Sequence, residues 1–346
     1  MKKISVVIPC YNEEDNVEAI AAEVGRVFRE QLGSYDYEII FIDNDSQDRT
    51  RDLLRLLVKS DPKIKAILNA KNFGQFNSPY YGLLQITGDA GILLACDFQD
   101  PVELIPEFVK GWEEGYKIVI GRKTKSKENP FVYVLRGIYY KLIKKVSEVD
   151  QIEQFTGFGL YDRAFVEVLK ELDDPTPFLR GIVAEMGFHR KEIEYTQPER
   201  RAGKTSNNWY RLFDAAMLSV TSYTKIGLRM ATFIGGFGAL ISFVIAIVFL
   251  VKKLTDWYGF EAGIAPLIIL VAILGSLQLL FIGLIGEYIL TINQRVMNRP
   301  LVVEEERIGC WDDEGPEEEG TPVTARTAKA ARRKASGETG PEGEEA

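Results

Sequence analysis

Hydrophobic and polar positions follow three rhythms along this chain. Up to about residue 200, short Val- and Ile-rich runs alternate with stretches of helical period. Two long, uncharged apolar runs come next, and a polar tail closes the sequence. The runs Ile4–Ile8, Tyr37–Ile42, Lys63–Leu68, Gly91–Ala95 and Tyr116–Gly121 read as strands buried on both faces. Helical periods follow the first to about Glu30, the second over Asp48–Ser60, and the third to Thr87. A further helix is expected over Asp162–Leu172 and a short strand over Phe188–Tyr195. Strand and helix alternating at this spacing predict a doubly wound α/β sheet, mostly parallel and Rossmann-like.

Each early strand ends abruptly in polar residues. The clusters are Pro9-Cys10-Tyr11-Asn12-Glu13-Glu14, Asp43-Asn44-Asp45-Ser46, Asn69-Ala70-Lys71-Asn72-Phe73-Gly74-Gln75 and Asp97-Phe98-Gln99-Asp100-Pro101. Turn chemistry explains any one of them. Four in succession at the carboxyl ends of parallel strands predict a ligand cleft there. Asp97 is placed to hold a hard cation together with ligand phosphates. Asp100, just before Pro101, reads as a helix N-cap.

Composition narrows the ligand. A net charge of −8 argues against a general nucleic-acid binder. Neither G-x-G-x-x-G nor a Walker A sequence occurs, which excludes the commonest dinucleotide and P-loop sites. Three scattered cysteines give no disulfide framework and suit a reducing compartment. One histidine, His189, excludes sites that need several.

Taken in order, Val7 to Glu14, Ile42 to Asp48, Asn72 to Gln75 and Asp97 to Pro101 resemble the family 2 inverting glycosyltransferases. Within that family they are similar to the polyprenyl-phosphate branch that includes dolichol-phosphate mannose synthase. The resemblance covers about 300 residues and implies a GT-A type catalytic domain over 1–206. It implies that Pro9, Tyr11, Asn12, Glu13, Asp43, Asn72, Gln75 and Cys96 hold the nucleotide. Asp97, with Gln99, would bind Mg²⁺ or Mn²⁺ on the sugar-nucleotide diphosphate. Arg122 matches a phosphate-binding arginine, and Arg136 is a second candidate. The segment Gln197–Ser206 resembles the acceptor loop, with Arg200, Arg201, Lys204 and Ser206 placed to grip phosphate oxygens. The expected catalytic set is therefore Asp97, Arg122, Arg136, Arg200, Arg201 and Lys204, and the expected acceptor-phosphate set is Arg122, Arg136, Arg201, Lys204 and Ser206.

The sequence departs from the family in two places. Ala95 stands where relatives often carry a second acidic residue, and Gly157 and Gly159 stand where many carry Asp and Arg. Mg²⁺ keeps several waters and needs few protein ligands. A phosphate monoester, with a second pKa of about 6, is already a nucleophilic dianion at neutral pH. The absent base thus favours a phosphate acceptor over an alcohol.

Two apolar stretches, about 230–251 and 263–288, are long enough to cross a bilayer. Residues 207–229, with Arg211, Lys225 and Arg229 among apolar positions, are expected to lie at the membrane surface. Cations flanking the spans place the catalytic half and both termini in the cytosol, on the inner membrane of a cell. Residues 301–346 are expected to form a disordered tail.

The function expected is transfer of a hexose, glucose from UDP-glucose first, to polyprenyl (undecaprenyl) phosphate. Mannose on GDP stays open. The implied partners are the donor, the lipid acceptor, the membrane and a second copy of the chain, with a flippase and a periplasmic transferase downstream. Two alternatives stand beside this: a processive polysaccharide synthase, which needs more spans, and a catalytically silent nucleotide-sugar-binding scaffold, suggested by Ala95, Gly157 and Gly159.

Overall fold

A computed structural model describes residues 1–125 and 154–198, Ile152, scattered positions between 233 and 255, and residues 264–297 and 299–311. Eight strands form one sheet: β1 (Lys3–Cys10), β2 (Asp36–Asp43), β3 (Ile64–Asn69), β4 (Ala90–Leu93), β5 (Ile118–Lys125), β6 (Phe155–Asp162), β7 (Arg190–Thr196) and β8 (Glu304–Ile308). Their order is β7-β5-β6-β4-β1-β2-β3-β8. The helices are α1 (Val17–Gln31), α2 (Thr50–Ser60), α3 (Gly74–Leu84), α4 (Ile105–Glu113), α5 (Arg163–Leu172), α6 (Leu179–Glu185) and α7 (Ile264–Val296).

Strand side chains alternate between two cores. Ile4, Val6, Ile8, Ile39 and Phe41 pack with α1, α2 and α4; Val7, Ile40 and Ile42 pack with α3, α5 and α6. Burial, more than capping, holds these helices. The N-cap of α1, Asn16, makes no side-chain cap bond, a loss of about 1 kcal/mol. Val17, Ile20, Val24, Val27 and Phe28 of that helix are all buried, each worth about 1.5–3 kcal/mol.

This is the GT-A type α/β sheet expected, but it is more mixed than the sequence suggested. β1, β2, β3 and β4 are mutually parallel, and β5 pairs parallel with β7. β6 runs antiparallel to β4 and β5, and β8 antiparallel to β3. Neither β6 nor β8 was expected as a strand. Residues 304–308 fall in the segment read as a disordered tail, and here they complete the sheet edge, with Trp311 buried behind them. Charged edge strands escape hydrophobic pattern reading because their stability comes from ladder hydrogen bonds and partner charges. Residues 312–346 of the expected tail lie outside the described residues.

One helix among the described residues is long and apolar enough to cross a membrane. Its window Ile273–Val296 has a mean hydropathy of 1.8 and none of it is buried within the chain. α7 spans 33 residues, roughly 50 Å at 1.5 Å per residue. It runs past the expected end near residue 288, because no Gly or Pro interrupts 287–296 and Pro300 stops it only later. The first expected span and the surface helix 207–229 lie largely or wholly outside the described residues.

Candidate active site

Parallel register brings the strand ends to one edge. Cys10 of β1 lies beside Asp43 of β2, Asp43 beside Leu68 of β3, and Val7 beside Leu93 of β4. The loops leaving these strands are laced together. The Asn12 amide donates to Ser46 Oγ at 2.8 Å, Gln47 N–H donates to Asn12 Oδ1 at 2.8 Å, and Glu13 N–H donates to Thr50 Oγ1 at 2.9 Å. Asn12, Asp45 and Phe98 hold positive φ values of 55°, 67° and 60°. Strain of this kind, of order 1–3 kcal/mol each, persists where surrounding contacts over-determine a site.

Asp43 is fully buried. Its Oδ2 accepts from Ser46 N–H at 3.1 Å and from Arg51 Nε at 2.7 Å, whereas its Oδ1 is buried with no hydrogen-bond partner. A buried orphan acceptor costs about 1–3 kcal/mol, so this oxygen suits a ligand that brings a donor. Next to it, Asn44 accepts from Phe73 N–H at 2.8 Å and donates to Asn72 Oδ1 at 3.0 Å. The Asn72 loop is thereby fixed against the end of β2. Pro9 is half-buried, Tyr11 and Gln75 are exposed, and Glu13 accepts from Asn16 Nδ2 at 2.6 Å. Cys96, expected among the nucleotide contacts, turns its side chain into the core with Cys10. Burial pushes both thiols up, so they stay protonated.

Beyond β4, Asp97 is buried and its Oδ1 accepts from Gln99 N–H at 3.1 Å. Asp100 does not cap the following helical turn. Pro101 occupies that cap and makes no side-chain bond, while Asp100 accepts from Ala95 N–H at 3.1 Å and from the Tyr195 hydroxyl at 3.0 Å. Burial pushes its carboxyl up to about 6, against the pull of Lys123. Asp100 therefore fastens the Asp97 loop to β7. Among the described residues, no three carboxylate, imidazole or thiol groups converge as a metal cluster.

Arg122, on β5, pairs with Glu194 and, at 3.5 Å, with Glu192 of β7. A phosphate would have to displace those carboxylates. Arg136, Arg200, Arg201, Lys204 and Ser206 lie outside the described residues.

The two departures in the Phe155–Tyr161 segment have a backbone cause. Gly157 has φ +107°, where any side chain is strained. A Cβ at Gly159 would sit 2.6 Å from Val119 O and 3.0 Å from Ile120 Cα on the neighbouring strand. No arginine fits there in this sheet. Gly159→Ala is expected to destabilise the protein by about 1–3 kcal/mol, because backbone has to move; a melting temperature within 1 °C of the parent would refute the packing account.

The profile of glycosyl transferase family 2 matches residues 5–169. The SfII prophage-derived bactoprenol glucosyl transferase of Shigella flexneri is 34% identical over 300 residues, covering 86% of this chain and 96% of that protein. The chain belongs to glycosyltransferase family 2. It is a glycosyltransferase by descent as well as by motif, and its likeness extends through the polyprenyl-phosphate branch. The prophage bactoprenol glucosyl transferase homolog of Escherichia coli K12 is 32% identical over 288 residues, 83% of this chain and 93% of that one. Among solved structures, glucosyl-3-phosphoglycerate synthase from Mycobacterium tuberculosis aligns with a TM-score of 0.42 at 18% identity, over 64% of this chain and 76% of that one.

Within this family 2 enzyme, sequence reasoning missed Arg51, Asn69 and Tyr195. Arg51 and Tyr195 lie on expected elements, away from the polar clusters, and no local pattern marks them. Asn69 lay inside a cluster, but its Oδ1 is a second buried acceptor without a partner.

Proposed function

We propose that this glycosyltransferase moves glucose from UDP-glucose to undecaprenyl phosphate. The observation that carries the reading is the match to bactoprenol glucosyl transferases, which extends through 96% of the first of them and well past the family 2 region. The buried, unpartnered Asp43 Oδ1 supports the nucleotide part. It asks for a donor, and the uracil ring offers one at N3; guanine offers one at N1, so GDP is the competing base.

The chemistry asks little of a base. A lipid phosphate dianion attacks the anomeric carbon, the new C1–O–P bond forms as the C1–O bond to the diphosphate breaks, and UDP leaves with inversion. No proton needs removing from a dianion, which accords with Gly157. Asp97 and Gln99 would hold Mg²⁺ or Mn²⁺ together with diphosphate oxygens and waters; a single carboxylate with an amide carbonyl fits the sparse ligand set Mg²⁺ accepts. That ion would supply charge neutralisation for the leaving group. This chain's own residues fasten the Asp97 loop through Asp100 and Tyr195, and Arg122, Arg136 and the cations of 200–204 would meet phosphate oxygens.

The apolar helix α7 supports a membrane-bound enzyme, since the acceptor's tail stays in the bilayer. We read two spans, about 230–251 and 263–288, a surface helix over 207–229, and a cytosolic catalytic half.

Purified full-length enzyme in detergent, given undecaprenyl phosphate, Mg²⁺ and a panel of labelled nucleotide sugars, should put label into the organic phase from UDP-glucose. EDTA should reduce that label at least tenfold. Equal labelling from GDP-mannose alone would replace the donor, and no labelling from any donor would defeat the reading.

A further inference from the structure

β8 brings Glu304, Glu305 and Glu306 alongside β3, and two arginines of α2 meet them. Arg51 Nη1 donates to Glu305 Oε2 at 2.8 Å, Nη2 donates to Asn69 O at 2.5 Å, and Nε donates to Asp43 Oδ2 at 2.7 Å. One guanidinium thereby ties the ends of β2 and β3 to β8. One turn on, Arg55 Nη2 donates to Glu306 Oε2 at 2.8 Å. Arginine's rigid planar fork fixes three directions at once, which the single ammonium of lysine does not. With Oδ2 committed to Arg51 and Ser46 N–H, the Asp43 carboxylate cannot rotate freely, and Oδ1 is the oxygen left over.

We infer that Arg51 and Glu305 are positioning residues for the nucleotide base: Glu305 holds Arg51, Arg51 holds Asp43 Oδ2, and Asp43 Oδ1 is thereby presented to the base's ring N–H. This rests on the proposal that Asp43 is the base acceptor. It also gives the segment after α7 a role. Only residues 297–303 separate the apolar helix from β8, so the strand that sets the base site is the one the membrane helix runs into. The C-terminal strand is part of the donor site.

The test compares dissociation constants of UDP and N3-methyl-UDP, which lacks the ring N–H, on the full-length enzyme in detergent. Wild type should bind UDP about tenfold or more tighter than the methylated analogue, the scale of one hydrogen bond to a charged group. In Arg51→Gln and Arg51→Lys the ratio should fall below about threefold. Glu305 is 57% exposed, so Glu305→Gln should weaken UDP only about two- to threefold, with an intermediate ratio and a melting temperature near that of wild type. Arg51 and Glu305 variants that keep the full wild-type ratio would overturn the inference, whatever their stability, because a purely structural role moves melting temperature and not base discrimination. Asp43→Ala separates the two levels. If it abolishes discrimination while Arg51→Gln retains it, the inference alone fails. If wild type does not discriminate, Asp43 is not the base acceptor and both fail.

Discussion

Asp97→Asn is expected to lower glucosyl transfer about 10³-fold, roughly 4 kcal/mol of transition-state stabilisation, with little change in melting temperature. The side chain is buried at the carboxyl ends of the parallel strands and its loop is pinned from two sides, by Gln99 N–H on Asp97 itself and by Tyr195 on Asp100. Asparagine keeps the volume and an oxygen able to accept from Gln99, so the loop should hold. What disappears is the negative charge. With Ala95 in place of a second acid, no neighbouring carboxylate on that strand end replaces it, and Asp100 is committed to Ala95 N–H and Tyr195. Initial rates of organic-phase label, read beside melting curves, check this. A variant that keeps more than a tenth of the parent rate would remove Asp97 from the proposed metal and catalytic roles.

The parts of the fold that could be read from the sequence are those whose stability is written in local apolar pattern. β1 to β5 are short buried runs between turn clusters, and their ends mark the edge where the candidate site lies. β6 went unread because Gly157 and Gly159 break its pattern. Those glycines are present because a φ of +107° at 157 strains any side chain and the approach of β5 at 159 leaves no room for one, constraints visible only once strands are paired. β8 failed for the opposite reason. Glu304, Glu305 and Glu306 look like solvent-facing tail until Arg51 and Arg55 are set against them.

The same division runs through the site. Asp43, Asn72 and Asp97 announce themselves by following apolar strands. Arg51 is an ordinary helix residue in sequence, and its contacts reach residue 305, 254 positions away. Asp100 illustrates a local rule overridden by packing: a carboxylate before proline reads as a cap, yet burial against β7 gives it Tyr195 instead.

Why these strand ends stay aligned is decided at the sheet's other edge. Glu38, near the start of β2, is buried to 1% exposure. It accepts from Ser5 Oγ of β1 at 2.5 Å and from Thr87 N–H and Oγ1, just before β4, at 2.9 and 2.8 Å. Lys65 Nζ of β3 lies at 2.7 Å and Lys3 Nζ of β1 at 3.1 Å. One carboxylate thus ties together the four parallel strands whose far ends carry the candidate site. Because side chains alternate faces, a slip of one residue in any of them would break this cluster and turn a core face outward. Burial alone would push the Glu38 carboxyl up, but Lys65, Ser5 and Thr87 outweigh it and hold it at about 2. The folded pKa lies below the unfolded value near 4.3, so this stabilisation is complete above that value and is lost as pH falls from there toward 2. The pKa difference corresponds to about 3 kcal/mol. Glu38→Gln should therefore cost about 3–5 kcal/mol at neutral pH, since Lys65, 4% exposed, is left buried without its counter-charge. The expected readout is a melting temperature lower by at least ~6 °C, and a flatter fall in stability between pH 4 and pH 2 than the parent shows. A Glu38→Gln protein that melts within 2 °C of wild type would mean that register here is fixed by the apolar strands alone.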